Sequence, residues 1–131
     1  MLQGSCLCGA VAYEIDGSLG PLRLCHCARC RKATGTAYAA VSQVPASAFR
    51  VTRGEASLKA YSTDEGVHRW FCGVCGSPIF ARRDNSPDIV RLRVGTLDTP
   101  VEMVVAEHIF VGSKAGWDQI GDDAPQHQEW P

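Results

Sequence analysis

Seven cysteines in three tight groups carry the clearest chemical signal in this sequence. Cys6-Leu7-Cys8 is a CxC element, and Cys25-His26-Cys27-Ala28-Arg29-Cys30 is CxCxxC. Cys72-Gly73-Val74-Cys75 is CxxC, followed by Gly76. Thiolates at these spacings are soft ligands that suit zinc. Zinc takes four tetrahedral ligands in structural sites and keeps one position open in catalytic ones. Seven divides as four plus three. The CxCxxC loop can place Cys25, Cys27 and Cys30 on one metal, leaving Cys6, Cys8, Cys72 and Cys75 for a closed four-sulfur site. Spacing alone does not fix which pair joins which site. Gly73 and Gly76 permit the tight turn of a metal knuckle, with backbone N–H groups turned toward the sulfurs.

Other uses of the thiols fit less well. An odd count leaves one cysteine over in any disulfide framework. The segment Met1 to Cys6 has neither a basic nor an apolar stretch of the kind that opens a secretory signal, so a cytoplasmic setting with reduced thiols is expected. No βαβ pattern surrounds Cys72, as a redox CxxC would have, and no four-cysteine ferredoxin run is present. Inert buried thiols do not usually cluster at CxC and CxxC spacing.

An open three-thiolate zinc suits thiol chemistry. A substrate thiol can take the fourth position and be held as a thiolate near neutral pH. That thiolate can attack a small carbonyl, or the reverse step can release one. A hydrolytic water is the competing use, but three thiolates donate much charge and weaken the zinc as a Lewis acid. Arg29, Arg31 and Lys32 flank the loop, where they can offset its charge, bind a substrate carboxylate, or simply form a solvated basic face. His26 is a candidate ligand, with a packing or hydrogen-bonding role behind the ligands favoured. His108 is a candidate acid–base group, against a structural hydrogen-bonded role. His68 reads as structural, His127 as part of a polar tail, and Asp98 as a turn cap. Trp70, Phe71, Phe80 and Phe110 read as core, and Trp117 as a residue that could cover a pocket mouth.

The elements that must position these groups are mostly short strands. The chain has 131 residues, the size of one ordinary domain, so a single domain over 1–131 is expected. Hydrophobic residues make up 45% and charged residues 21%, an ordinary globular balance, and the net charge is −1. That charge lacks the electrostatic footprint of a dedicated nucleic-acid binder. No apolar run of about 18 residues suggests a membrane span. Val11, Tyr13 and Ile15 alternate with Ala12 and Glu14, a strand pattern. Ala37 to Val41 reads as a buried apolar stretch. Phe49–Val51 and Ser57–Tyr61 flank Arg53-Gly54-Glu55 and predict a hairpin. Val67–Phe71, Ile79–Arg82 and Val90–Val94 predict strands, and Val101–Phe110 a further, bent one. Arg29–Ala33 and Pro45–Ala48 predict single helical turns. The polar segment 121–131 reads as a mobile tail. The fold class expected is mainly β.

Several of these stretches together resemble one family. Gly4-Ser5-Cys6-Leu7-Cys8-Gly9-Ala10-Val11, Cys25 to Lys32 with Thr34-Gly35, and Cys72 to Phe80 are similar to motifs of the glutathione-dependent formaldehyde-activating enzymes, a family that includes centromere protein V. Gly95-Thr96-Leu97-Asp98, His108-Ile109-Phe110, Ser113-Lys114-Ala115 and Trp117 resemble its C-terminal signatures. The resemblance implies a β-tent zinc fold with two zincs. Cys6, Cys8, Cys72 and Cys75 would hold a structural one, and Cys25, Cys27 and Cys30 a catalytic one. It also implies a carbon–sulfur lyase activity, the addition of glutathione to formaldehyde. Arg31 stands where members with that activity commonly carry Trp, so the chain resembles the shorter branch. Two readings follow. One is a zinc-dependent enzyme joining a glutathione-like thiol to, or releasing it from, a small aldehyde. The other is a non-catalytic zinc module that binds a protein partner.

Overall fold

A computed structural model describes all residues from Met1 to Pro131. In chain order the strands are β1 (Leu2–Ser5), β2 (Ala12–Ile15), β3 (Leu22–Cys25), β4 (Ala39–Pro45), β5 (Phe49–Arg53), β6 (Leu58–Ser62), β7 (Val67–Cys72), β8 (Pro78–Arg83), β9 (Ser86–Arg93) and β10 (Val105–Ile109). The one α-helix, α1, spans Ala28–Thr34. The fold is therefore mainly β, built of short strands as the residue pattern predicts. No helix is long and apolar enough to cross a membrane.

Two compact units form. The first comprises Met1–Gly20 and Ser42–Val101. In it, β2 pairs antiparallel with β1 and with β5. The strands β6 to β9 form an antiparallel meander. The alternation read at Val11 to Ile15 is real. Val11, Tyr13 and Ile15 are at most 1% exposed, and they join Val44, Ile79, Val90 and Leu92 in one core. Phe80 lies between Phe49 and Trp70, at ring separations of 4.9 and 5.9 Å. The aromatic payload thus fills the core, where such contacts add to the area buried.

The second unit comprises Pro21–Val41 and Glu102–Pro131. In it, β3 lies antiparallel to the start of β4 and parallel to β10. Buried Cys25, Cys30, Ala39, Val41 and Ile109 form its apolar centre, with Cys27 and Phe110 packed against them.

Three expectations change. Phe49–Val51 and Ser57–Tyr61 do not form a hairpin. Gly54 takes the left-handed conformation (φ 77°) and Glu55–Ser57 forms a 3-10 turn, so the chain passes from the small sheet into the meander. β5 bonds to β2, whereas β6 bonds to β7. Of the stretch Val101–Phe110, only Val105–Ile109 is a strand, with a bulge between Val105 and Glu107. Finally, the segment read as a mobile tail is tied back by backbone bonds. His108 N donates to Pro125 O at 2.8 Å, His127 N to His108 O at 2.9 Å, and Phe110 N to Glu129 O at 3.0 Å.

Candidate metal centres

In the first unit, Cys6 follows β1, Cys72 ends β7, and Cys75 sits in the turn before β8. The two knuckles share a plan. In each, the residue after the second cysteine is a glycine in the left-handed region, Gly9 at φ 81° and Gly76 at φ 84°. Gly9 N donates to Cys6 O (3.2 Å) and Gly76 N to Cys72 O (2.8 Å), closing both turns. Glycine takes this conformation at little steric cost, which explains its place after each pair. The backbone N–H groups of Val11 and Val74 point at the sulfurs of Cys6 (3.2 Å) and Cys72 (3.4 Å).

The four Sγ atoms lie within 4.8 Å of one another. Cys6 and Cys8 sulfurs are 3.6 Å apart, and Cys8 and Cys72 sulfurs 3.9 Å. Four sulfurs at the usual zinc distance of about 2.3 Å would be about 3.8 Å apart, so the set matches a zinc tetrahedron. The hydroxyl of Ser77, then its backbone N–H, holds Cys75 down at about 5. A backbone bond from Ala10 favours the Cys8 thiolate, but burial and the neighbouring sulfurs outweigh it and push Cys8 up to about 11. Such a crowd cannot hold all its negative charge at once without a cation among the sulfurs.

In the second unit, Cys25, Cys27 and Cys30 also bring their sulfurs within 4.8 Å. Cys25 ends β3, and Cys27 is the N-cap of α1, its sulfur accepting from Cys30 N at 3.3 Å. Gly35, left-handed at φ 68°, ends the helix by donating to Arg31 O at 2.8 Å. Contact with Cys25, then with Cys30, holds Cys27 down at about 2, while contacts with Cys27 and Cys30 push Cys25 up. Here too a dication fits the donor set. The four-plus-three division inferred from the seven thiols is the grouping the fold brings together.

Behind this loop runs a chain of side chains. His26 is fully buried, and its Nε2 lies 2.8 Å from His108 Nδ1. His108 Nε2 lies 2.9 and 3.0 Å from the two oxygens of Asp122. A carboxylate only accepts, so His108 donates through Nε2, accepts through Nδ1, and His26 donates through its own Nε2. His26 Nδ1 is left as a buried atom with no hydrogen-bond partner, 3.8 Å from Asp118 Oδ2. Burial, then the neighbouring His108, lowers the His26 pKa below its ordinary value. The bond from His108 lowers that of Asp122. Phe110, the only non-glycine residue with positive φ (57°), follows directly on His108-Ile109.

Other sequence candidates find ordinary places. His68 bonds Ser62 and Asp84 on the meander, and Asp98 accepts from Ser5 Oγ at 2.6 Å. Trp117 is 73% exposed. Asp122 and Asp118 were not singled out from sequence, because they lie in a stretch whose composition is merely polar. The one local signal was their closeness in sequence to the His108 motif.

The profile of the family described as glutathione-dependent formaldehyde-activating enzyme matches residues 1–113. A protein of Halomonas elongata provisionally given that name is 27% identical over 130 residues, which cover 92% of this chain and 81% of the relative. Proteins of Penicillium rubens and Aspergillus flavus with the same provisional name are 22% and 24% identical. Those matches cover 90% and 87% of this chain but only 56% and 54% of the fungal proteins, so the chain spans little more than half their length. A crystal structure of a Rhodobacter sphaeroides protein from a structural genomics programme superposes with a TM-score of 0.65 at 29% identity, covering 76% of this chain and 90% of that one. With the family match running from residue 1 to residue 113, the chain belongs to the glutathione-dependent formaldehyde-activating enzyme family.

Proposed function

We propose that this chain is a zinc-dependent, carbon–sulfur lyase-like enzyme acting on a glutathione-like thiol and a small aldehyde. The observation that carries the reading is the inequality of the two thiol clusters, four sulfurs in one and three in the other. Cys6, Cys8, Cys72 and Cys75 close a structural site, and Cys25, Cys27 and Cys30 hold the catalytic zinc. When bound there, zinc supplies an open position that stabilises a substrate thiolate. Adding a thiol across a carbonyl forms a C–S bond, breaks the C=O π bond, and moves the sulfur's proton to oxygen.

The protein's own groups divide that work. Cys27 N-caps α1, which fixes the spacing of Cys27 and Cys30. His26 Nδ1 is the one ring nitrogen of the His26–His108–Asp122 chain without a hydrogen-bond partner. Its lone pair is the one in that chain left to take up a proton. His108 has both ring nitrogens engaged, so it acts by positioning His26. Arg31 and Lys32, in the last turn of α1, offset the charge of the thiolates.

Zinc-edge absorption spectroscopy of the two-zinc protein, with and without glutathione, tests the reading. The expected result is an increase of about half a sulfur in the mean coordination per zinc, since one of the two sites gains a ligand. An unchanged sulfur count with glutathione and with small thiols would sink it. The second reading, a non-catalytic zinc module docking a protein, draws on Leu7 and Val74. These residues tip the two knuckles and are 89% and 69% exposed.

A further inference from the structure

The β6–β7 hairpin and the β8–β9 turn bring three side chains of the first unit into one hydrogen-bonded line. Ser62 ends β6, His68 stands directly opposite it on β7, and Asp84 follows β8. Ser62 Oγ lies 2.7 Å from His68 Nδ1, and His68 Nε2 lies 2.8 Å from Asp84 Oδ1. A carboxylate only accepts, so in the neutral ring Nε2 carries the hydrogen and the bare Nδ1 accepts from the Ser62 hydroxyl. The backbone holds the line in place. Asp84 N donates to Gly66 O at 2.9 Å, Gly66 N to Thr63 O at 3.0 Å, and Thr63 N to Val67 O at 3.0 Å. Gly66 leaves room for the carboxylate, since a Cβ there would sit 2.6 Å from Asp84 Oδ2.

These are the parts of an activated nucleophile: a hydroxyl, a base within hydrogen-bond reach of it, and a third group that orients the base. The two ring nitrogens are exchanged relative to the Ser–His–Asp triad of the serine proteases, but the roles are the same. Stability gains little from the arrangement. Ser62 is exposed, and the His68 and Asp84 side chains are 31% and 73% exposed, so solvent competes for each bond. The same exposure leaves the hydroxyl open to a reactant. Arg82 stands opposite His68 on β8, on the same sheet face, and its Nε is a buried donor with no hydrogen-bond partner. A donor left unpaired beside the nucleophile suits the negative charge that forms on a carbonyl oxygen under attack.

We propose that Ser62 is a nucleophile for acyl transfer, with small carboxylic esters as its substrate class. Ser62 Oγ bonds to the acyl carbon as the C=O π pair moves to oxygen, and the hydroxyl proton passes to His68 Nδ1. On collapse the bond to the leaving alkoxide breaks, and His68 gives the proton to it. Water then cleaves the acyl-serine, its proton passing through the same nitrogen back to Ser62. The balance is ester plus water to acid plus alcohol. Asp84 is a positioning residue that keeps the ring hydrogen on Nε2. No thiol of either cluster takes part, so this activity and the thiol reading can fail separately.

Reaction of the zinc-loaded full chain with diisopropyl fluorophosphate, which caps activated serine hydroxyls with loss of fluoride, tests the proposal. Peptide mass spectrometry locates the adduct. Ser62 should be labelled in the folded chain and not in the chain unfolded by urea, and it should take up an acetyl group from p-nitrophenyl acetate. His68→Gln should slow labelling about a hundredfold, the scale of a lost general base. Asp84→Ala should slow it at least about tenfold, with Asp84→Glu in between, because the longer carboxylate still accepts from the ring. Zinc content and the unfolding midpoint confirm that each variant is folded. If His68→Gln does not fold, the two Asp84 variants carry the test. Absence of either adduct at Ser62, equal labelling of the unfolded chain, or wild-type rates in folded His68→Gln or Asp84→Ala would each overturn it.

Discussion

His26 Nε2 and His108 Nδ1 face each other at 2.8 Å in a fully buried contact between β10 and the residue that follows β3. Two neutral imidazoles can share only one hydrogen there. The carboxylate of Asp122 decides which ring gives it, by accepting from His108 Nε2. An acidic group with exposed surface thus sets the tautomer of a histidine with none.

Long-range proton–nitrogen NMR of the wild type should find both His26 and His108 protonated on Nε2 and bare on Nδ1. In Asp122→Ala the anchor is gone, and His108 should populate its other tautomer, which forces His26 to rotate or to lose the bond. A wild-type spectrum with His26 protonated on Nδ1 would reverse the direction of the chain.

Tyr13 offers a pH test away from the metal sites. Burial pushes its pKa up to about 12, against a smaller opposing effect of its bond to Thr96. A phenol whose folded pKa exceeds the unfolded value of about 10 stabilises the fold fully below pH 10. That contribution, roughly 3 kcal/mol, is lost as pH rises from about 10 to about 12. Denaturant midpoints of wild type and Tyr13→Phe should therefore converge and then cross within that window. At neutral pH the variant should be about 1 kcal/mol less stable, through loss of the 2.7 Å bond to Thr96. A constant gap between the two proteins across the window would contradict the burial of the hydroxyl.

The two cysteine sets should fail differently. The wild type should hold about two zincs per chain. Cys27→Ser should hold about one and remain folded, because the four-sulfur site lies in the other compact unit. Cys75→Ser should lose the structural zinc and unfold the β1 and β7–β8 knuckles, since binding at a closed site is folding energy. Metal analysis with circular dichroism separates these outcomes. Identical behaviour of the two variants would refute the division of labour.

Gly9 and Gly76 should respond alike to substitution. Both have positive φ, and an added Cβ meets nothing within 4 Å at either position. The cost of Gly→Ala is then purely conformational, about 1 kcal/mol each. Thermal unfolding of the single and double variants should give equal and additive losses. A cost several times larger at one position would mean that its glycine also makes room for a close contact.

What the sequence made legible was whatever is local. The three cysteine groups stood out by spacing because a CxC or CxxC turn fixes its own sulfurs, whereas the meeting of Cys6 and Cys8 with Cys72 and Cys75 is a contact only the fold makes. The alternation at Val11, Tyr13 and Ile15 marked a strand because one face is fully buried. Gly54 was rightly read as a turn, but a local pattern cannot say which partners the flanking strands choose. The backbone groups of β5 and β6 were claimed by β2 and β7. β3, only Leu22–Cys25, is too short to show a period, and its pairing with β10 spans more than eighty residues. Asp122 escaped notice for the same reason. Its importance comes from a histidine fourteen positions away and not from its neighbours.

Cys27 both belongs to the three-thiol cluster and caps α1 through the Cys30 N–H. Oxidation or alkylation of that single atom would therefore remove a donor from the cluster and a helix cap together. Damage at the site would register in the backbone as fraying of Ala28–Thr34, so that the first turn of a seven-residue helix serves as a gauge of the chemical state of the cluster.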